Sequence, residues 1–283
     1  MSDAKNYQIN NGGRGTAPLI IDAHAHIFPD KIAEKAVAGI GNFYSTLTME
    51  LDGTAEGLLE SGGSTGVGKF LVHSVATVTE QVKSINDFIS DCVKKYPDKF
   101  IGFAAMHPDF EDVSAELDRA VSLGLRGIKL HPDFQRFNTD SAKAMKLYEE
   151  AAKRKLPVLI HMGDIRTDFS KPKRLVNVLE RFPELDIIAA HFGGWSEWDS
   201  AADILGGRGY SHLWTDCSSS LYAMSPEHAK HLIDIYGADR VLFGTDYPMW
   251  TAEEELERFN KIPLTERERE KILCENAEKL LKL

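Results

Sequence analysis

The chain has 283 residues, 43% of them hydrophobic and 9% aromatic, with a formal charge of −10 from 33 basic against 43 acidic side chains. That length allows one large domain or two ordinary ones and supplies ample apolar material for a core. The negative field disfavours nucleic acid and anionic membrane surfaces as partners, because both are polyanionic, but it leaves a small anionic substrate open.

Residues 1–17 are polar and Gly-rich and read as a flexible lead-in without the charged-then-apolar order of a signal peptide. Leu19-Ile20-Ile21-Asp22-Ala23-His24-Ala25-His26 follows as a strand, and the period of two puts His24 and His26 on one face. A helix is expected over Asp30 to Val37 with Asp30 as its N-cap. The string Gly62-Gly63-Ser64-Thr65-Gly66-Val67-Gly68-Lys69 nearly spells a phosphate-binding loop, but Phe70 replaces the Ser or Thr and a strand follows in place of a helix. Its glycines read as a flexible turn.

From Lys69 onward one theme repeats, a short apolar run and then an amphipathic stretch. Strands are expected at Phe70–Val75, Phe100–Met106, Gly127–Leu130, Pro157–Ile160, Leu185–Ala190, His212–Asp216 and Arg240–Phe243. Helices are expected at Glu80–Lys95, around Val113 to Val121, and at Ser141–Arg154, Pro172–Arg181, Ser196–Leu205, Ser225–Tyr236 and Glu266–Leu281. Strict alternation of eight such units predicts an α/β fold, a (β/α)8 TIM barrel forming a single domain over residues 18–283, with an insertion between strands 1 and 2. The Gly-x-Gly-x-x-Gly turn of a dinucleotide-binding sheet is absent after the first strand. Two copies of His-Pro-Asp-Phe, at 107–110 and 131–134, close successive strands, and Asp is expected to cap the helix that follows. Cys92, Cys217 and Cys274 lie far apart, as free thiols would in a reducing compartment. No apolar run approaches the roughly 20 residues of a membrane span. The cytoplasm is the expected location.

In such a barrel the chemistry collects at the C-terminal ends of the strands. Those ends carry His24, His26, His107, Lys129, His131, His161, His191 and Gly244-Thr245-Asp246-Tyr247-Pro248. His73, inside the second strand, reads as a satisfied wall residue, and His212, His228 and His231 as surface or capping groups. A divalent ion needs three or four N/O ligands at ~2.0–2.2 Å. His24, His26, His161 and Asp246 supply that set from strands that meet only if the barrel closes, with His191 beside the open position. A bound ion activates water; Asp246 can take its proton and His191 can orient it.

This ordered set resembles the amidohydrolase superfamily. It is most similar to the branch containing aminocarboxymuconate-semialdehyde decarboxylase and related metal-dependent hydrolases and lactonases. The resemblance covers the chain from Leu19 onward and implies metal ligation by His24, His26, His161 and Asp246, with His191 and Asp246 as catalytic groups. The decarboxylase's arginine between its first two strands has no counterpart, since Ile27 to Lys69 contains no arginine. Lys129 lies where two-metal members carry a carboxylated lysine, so a two-metal site is the alternative to a single ion. Zinc is the expected metal, with manganese or another divalent ion as the alternative.

The leading expectation is therefore a metal-dependent hydrolase acting on an ester, lactone or amide of a small carboxylate-containing or cyclic substrate. The rival is a non-oxidative decarboxylase of an aromatic or unsaturated acid, and a non-catalytic metal-binding barrel is the third reading. Lys129, His131 and Arg166 are the expected substrate-binding residues. Trp195, Trp198, Tyr247 and Trp250 suit a flat, partly apolar substrate, the contact of a homodimer, or loop packing.

Overall fold

The short apolar runs become parallel strands: β1 (Ile20–His26), β2 (Val67–His73), β3 (Phe100–Gly102), β4 (Ala104–Ala105), β5 (Ile128–Leu130), β6 (Val158–Ile160), β7 (Ile187–Ala189), β8 (Leu213–Asp216) and β9 (Val241–Leu242). The computed structural model describes residues 19–45, 49–63 and 65–283, so the lead-in expected over 1–17 lies outside the described residues. β3 and β4 are two halves of one strand, parted at Phe103. The Phe103 N–H bonds to the Val72 carbonyl at 3.0 Å, while the Ala104 N–H turns to Gly127 at 2.8 Å. Pairing runs β1-β2-β3 and β4-β5-β6-β7-β8-β9. The ring closes where the Ala23 N–H meets the Phe243 carbonyl at 2.8 Å and the His26 N–H meets the Tyr247 carbonyl at 2.7 Å. The result is the expected TIM barrel, and its strands are buried on both faces as parallel strands under helices must be.

A register shift between Asp22 and Ala25 sets where the site forms. Before it, Ile21 and Ala23 pack with Leu71, Phe103, Leu159, Ile188 and Leu242, and Leu280 and Leu281 of the last helix join this cluster. After it, Ala25 joins Phe70 and Val72 in the layer beneath the helices, and His26 pairs with His73 across the sheet. Such an irregularity re-aims side chains, here lifting two imidazoles over an apolar floor.

The helices follow the expected order, with instructive departures. The first runs Asp30–Tyr44, twice the expected length, and Pro29 stands at the N-cap while Asp30 lies in the first turn. There its charge suits the positive end of the helix dipole. Gly62 and Gly63 end a helix, Ala55–Gly63, before the chain turns into β2. Ala252–Asn260 is a helix that the periodicity reading passed over, although Thr251 and Glu254 form a capping box readable in the sequence. In both His-Pro-Asp-Phe copies the imidazole takes the backbone N–H, not Asp: His107 Nδ1 from Asp109 at 3.1 Å and His131 Nδ1 from Phe134 at 3.3 Å. Proline holds the preceding residue extended, which brings the histidine ring over the turn. Among the described residues no helix is long and apolar enough to cross a membrane.

Candidate metal centre

Inside the C-terminal rim, three carboxylates and a ring of histidines fix one another. Asp216, at the end of β8, accepts from His24 Nδ1 at 3.0 Å through Oδ2. Its Oδ1 accepts from the backbone N–H groups of His191 and Ser218, both at 3.1 Å, and from Ser218 Oγ at 2.6 Å. Burial by itself raises the Asp216 carboxyl, but the neighbouring His24 and the hydrogen bonds outweigh it and hold it at about 2. Asp22 is a second clasp, taking the N–H groups of His24 and Thr245, both at 3.0 Å, and Thr245 Oγ1 at 2.6 Å. It ties β1 to the loop that carries Asp246. That carboxylate is held in turn by Ser219 Oγ at 2.6 Å, and Ser219 Oγ accepts from Trp250 Nε1 at 3.1 Å. His191, Phe192 and Asp246 all sit at left-handed φ, 61°, 50° and 58°. Each such non-glycine residue costs on the order of 1 kcal/mol, a strain maintained by the surrounding bonds.

The tautomers follow from these partners. A carboxylate or carbonyl oxygen only accepts, so the ring nitrogen facing it must carry hydrogen. His24 Nδ1 donates to Asp216, which leaves the Nε2 lone pair toward Asp246 Oδ1 at 3.3 Å and Lys129 Nζ at 2.9 Å. His191 Nδ1 donates to the Ser218 carbonyl at 2.8 Å, and His161 Nε2 to the Gly163 carbonyl at 3.1 Å. Burial keeps both rings neutral by pushing their pKa values down. Their remaining nitrogens, His191 Nε2 and His161 Nδ1, therefore point lone pairs at each other across 3.0 Å. Two lone pairs at that distance repel unless a proton or a cation lies between or beside them.

A cation therefore fits this donor set. Donors held tetrahedrally at about 2.1 Å from a zinc-like ion lie about 3.4 Å apart. Asp246 Oδ1 stands 3.3 Å from His24 Nε2 and 3.4 Å from His26 Nε2. Burial lowers His26 to about 4, so its ring is neutral and able to ligate. Asp246, although burial opposes it, is held well below the ordinary carboxylate range by His24, His26 and His191. The carboxylate–imidazole relay from Asp216 through His24 is the outer support that metal-binding histidines use.

Every sequence-predicted residue reaches this end of the barrel, but not every one faces the same point. His24, His191 and Asp246 form one group of donors within 4.8 Å, and His24, His26 and His73 form a second. His161 groups with His131 and Asp133 and touches the first set through His191. Lys129 is fully buried beside His24, and burial lowers its ammonium to about 8 against the pull of Asp246 and Asp216. His131 is fixed by its cap, by a contact of 3.2 Å to Tyr44 Oη and by stacking on His161 at 3.9 Å.

Arg166 has partners within the protein. Expected to meet a substrate carboxylate, it is committed to Asp164 through two bonds of 2.9 and 2.7 Å and to the Phe43 carbonyl at 2.8 Å. Its guanidinium also lies 4.7 Å from the Phe43 ring centre. His73 departs from expectation. It is not a satisfied wall residue, since neither buried ring nitrogen has a partner. Leaving a buried polar atom so costs about 1–3 kcal/mol. The aromatic residues of the rim pack loops: Trp198 donates to Ser220 Oγ at 3.1 Å, and Tyr247 donates to Asp52 Oδ1 at 2.8 Å.

The space between these groups is small. A cavity of about 20 Å³ is lined by His26, Ile40, Tyr44, His131, Phe134, His161, Asp246, Pro248 and Met249. That suits an ion or a single water. Beside it, sharing His26, Ile40 and Phe134, opens a cleft of about 600 Å³ walled mainly by Phe28, Ile32, Phe43, Ile85 and Phe88, with Lys35 and Arg136 on its border.

The amidohydrolase family model matches residues 21–283. The chain belongs to the amidohydrolase family. This amidohydrolase is a metal-dependent enzyme of that superfamily. It is 24% identical over 277 residues to a γ-resorcylate decarboxylase of Polaromonas sp. strain JS666, covering 75% of this chain and 80% of that one. It is 24% identical over 202 residues to the 2-amino-3-carboxymuconate-6-semialdehyde decarboxylase of Dictyostelium discoideum, covering 58% and 55%. Among solved structures, a dihydroxybenzoic acid decarboxylase from Polaromonas sp. JS666, with bound manganese and 2-nitroresorcinol, superposes with a TM-score of 0.73 at 20% identity, covering 94% and 98%. A 5-carboxyvanillate decarboxylase from Sphingomonas paucimobilis gives 0.72 at 16% identity, covering 94% and 100%.

Proposed function

We propose that this amidohydrolase is a non-oxidative, metal-dependent decarboxylase of an aromatic or unsaturated carboxylic acid. This takes the rival of the two sequence-based expectations over the hydrolase. Kinship with decarboxylases in both curated relatives carries the reading. The apolar cleft beside the histidine cage supports it, because a flat ring can lie there with its carboxylate toward His26 and Asp246.

His24, His26, His161 and Asp246 would hold a single divalent ion, manganese or zinc, whose positive charge binds and orients the oxygens of the substrate. Lys129, buried among the same groups, supplies a second positive charge for the carboxylate, in a chain with no arginine between Ile27 and Lys69. His131, pinned by its cap, lines the small cavity toward which the carboxylate points. The carbon–carbon bond to the carboxylate breaks, CO2 leaves, and the electron pair stays on the substrate carbon, which must then take a proton. Asp246 and His191 are the titratable groups placed to hold and return that proton. The tight rim keeps bulk water away from that carbon while the pair is exposed.

The test is product analysis on the metal-loaded protein. Hydroxybenzoates and unsaturated acids are offered beside esters and lactones, with release of CO2 and incorporation of labelled water oxygen both followed. CO2 release without water oxygen in the product is expected. Cleavage of an ester or lactone, with no CO2 from any acid, rejects the decarboxylase.

A further inference from the structure

One histidine is left over by everything above. His73 ends β2, directly across the sheet from His26, and is completely buried. Its ring meets those of His26 and His24 edge-on, with centroids 4.4 and 4.9 Å away and interplanar angles of 88° and 70°. Both of its nitrogens lack a hydrogen-bond partner. Native interiors rarely leave even one buried polar atom unpaired, and such an atom calls for a partner that is not a protein group. One of its nitrogens lies within 4.8 Å of donor atoms on both His24 and His26.

We propose that His73 supplies a further imidazole ligand to the metal held by His24, His26, His161 and Asp246. This rests on the metal-centre reading and adds β2 as a third strand of ligands at that side of the rim. Donors beyond four take the site past the closed tetrahedron of structural zinc, toward the higher coordination that manganese accepts.

The experiment compares wild type with His73→Phe, which keeps a ring and removes both nitrogens. Metal-free protein is titrated with Mn2+ and Co2+ against a chelator, the visible spectrum of the Co2+ form is recorded, and melting is followed with and without metal. Affinity is expected to fall at least tenfold in the variant, with a changed Co2+ spectrum. The metal-free variant should melt at or above the metal-free wild type, because two unpaired polar atoms are gone. Equal affinity and an unchanged spectrum would overturn the assignment of His73 alone. A wild type that binds neither ion overturns the metal centre and His73 with it. Should His73→Phe not fold, the metal-loaded wild-type crystal structure decides: a His73 nitrogen at about 2.0–2.3 Å from the ion supports the proposal, and one beyond about 3 Å rejects it.

Discussion

Asp216 touches no open space, yet it governs the site more than any residue exposed to it. One carboxylate fixes the His24 tautomer and, through the His191 N–H and Ser218, sets where His191 points. Replacing it by Asn keeps the shape but removes the charge and half of the acceptor capacity, so that His24 can present a proton where it now presents a lone pair. Asp216→Asn is therefore expected to weaken metal affinity by about 10–100-fold with the fold intact. Chelator competition and far-UV circular dichroism check both parts, and unaltered affinity would remove Asp216 from the account. At this scale the chain was half legible. Recurrence at strand ends picked out His24, His26, His161, His191 and Asp246, because ligands must come from the rim. Asp216 and Asp22 went unmarked because a carboxylate at a strand end looks the same whether it orients a ring or caps a helix. His73 went unmarked because one nucleated strand irregularity, invisible in composition, decides which neighbours it meets.

Among the elements, the helix Asp30–Tyr44 runs two turns beyond the segment that its periodicity predicts, and that extension covers the mouth. Its last residues reach the site, with Tyr44 against His131 and the Phe43 ring 4.7 Å from that of Phe134. Arg166 clamps that end by joining Asp164 to the Phe43 carbonyl and ring. No pattern near Arg166 announces this, since Phe43 lies on a helix more than a hundred residues away. Arg166→Ala is expected to raise amide hydrogen exchange across the last two turns of this helix several-fold while leaving metal affinity within about twofold. Unchanged exchange there would show that the clamp holds nothing. The capping boxes at Thr251 and Thr265 mark the opposite case, helices whose starts are written locally and need no tertiary partner.

For the whole molecule, the buried histidines make the metal-free protein sensitive to acid. His26 is lowered from 6.5 to about 4, and burial pushes His73, His131, His161 and His191 the same way. Below pH ~6.5 the unfolded chain binds protons on these rings that the folded one refuses, so stability is present above that pH and is lost as pH falls toward 4. For His26 alone the loss is about 3 kcal/mol. Asp22 acts in the opposite sense, since burial raises it to about 6 and its contribution is lost as pH rises through that value. Asp216, held at about 2, extends the acid loss from pH ~4 downward. Asp133 and Glu255 act in the same sense as Asp22, burial raising Glu255 to about 8. Five rings outweigh three carboxyls, so the melting temperature of the metal-free protein should fall by several degrees between pH 7 and 5. A flat or rising melting temperature would mean that the rings are charged in the folded state.

The sequence by itself determined the barrel, the site's end of it and most of its imidazoles. Those features rest on local periodicity and on a rule of strand ends that each short segment carries within itself. Only the tertiary structure decided which nitrogens keep lone pairs, that His73 faces His24 and His26, and that Arg166 holds a helix end. Each of these depends on a partner distant in the chain, and the direction of a hydrogen bond or an ion pair exists only once closure of the ring has brought the two together.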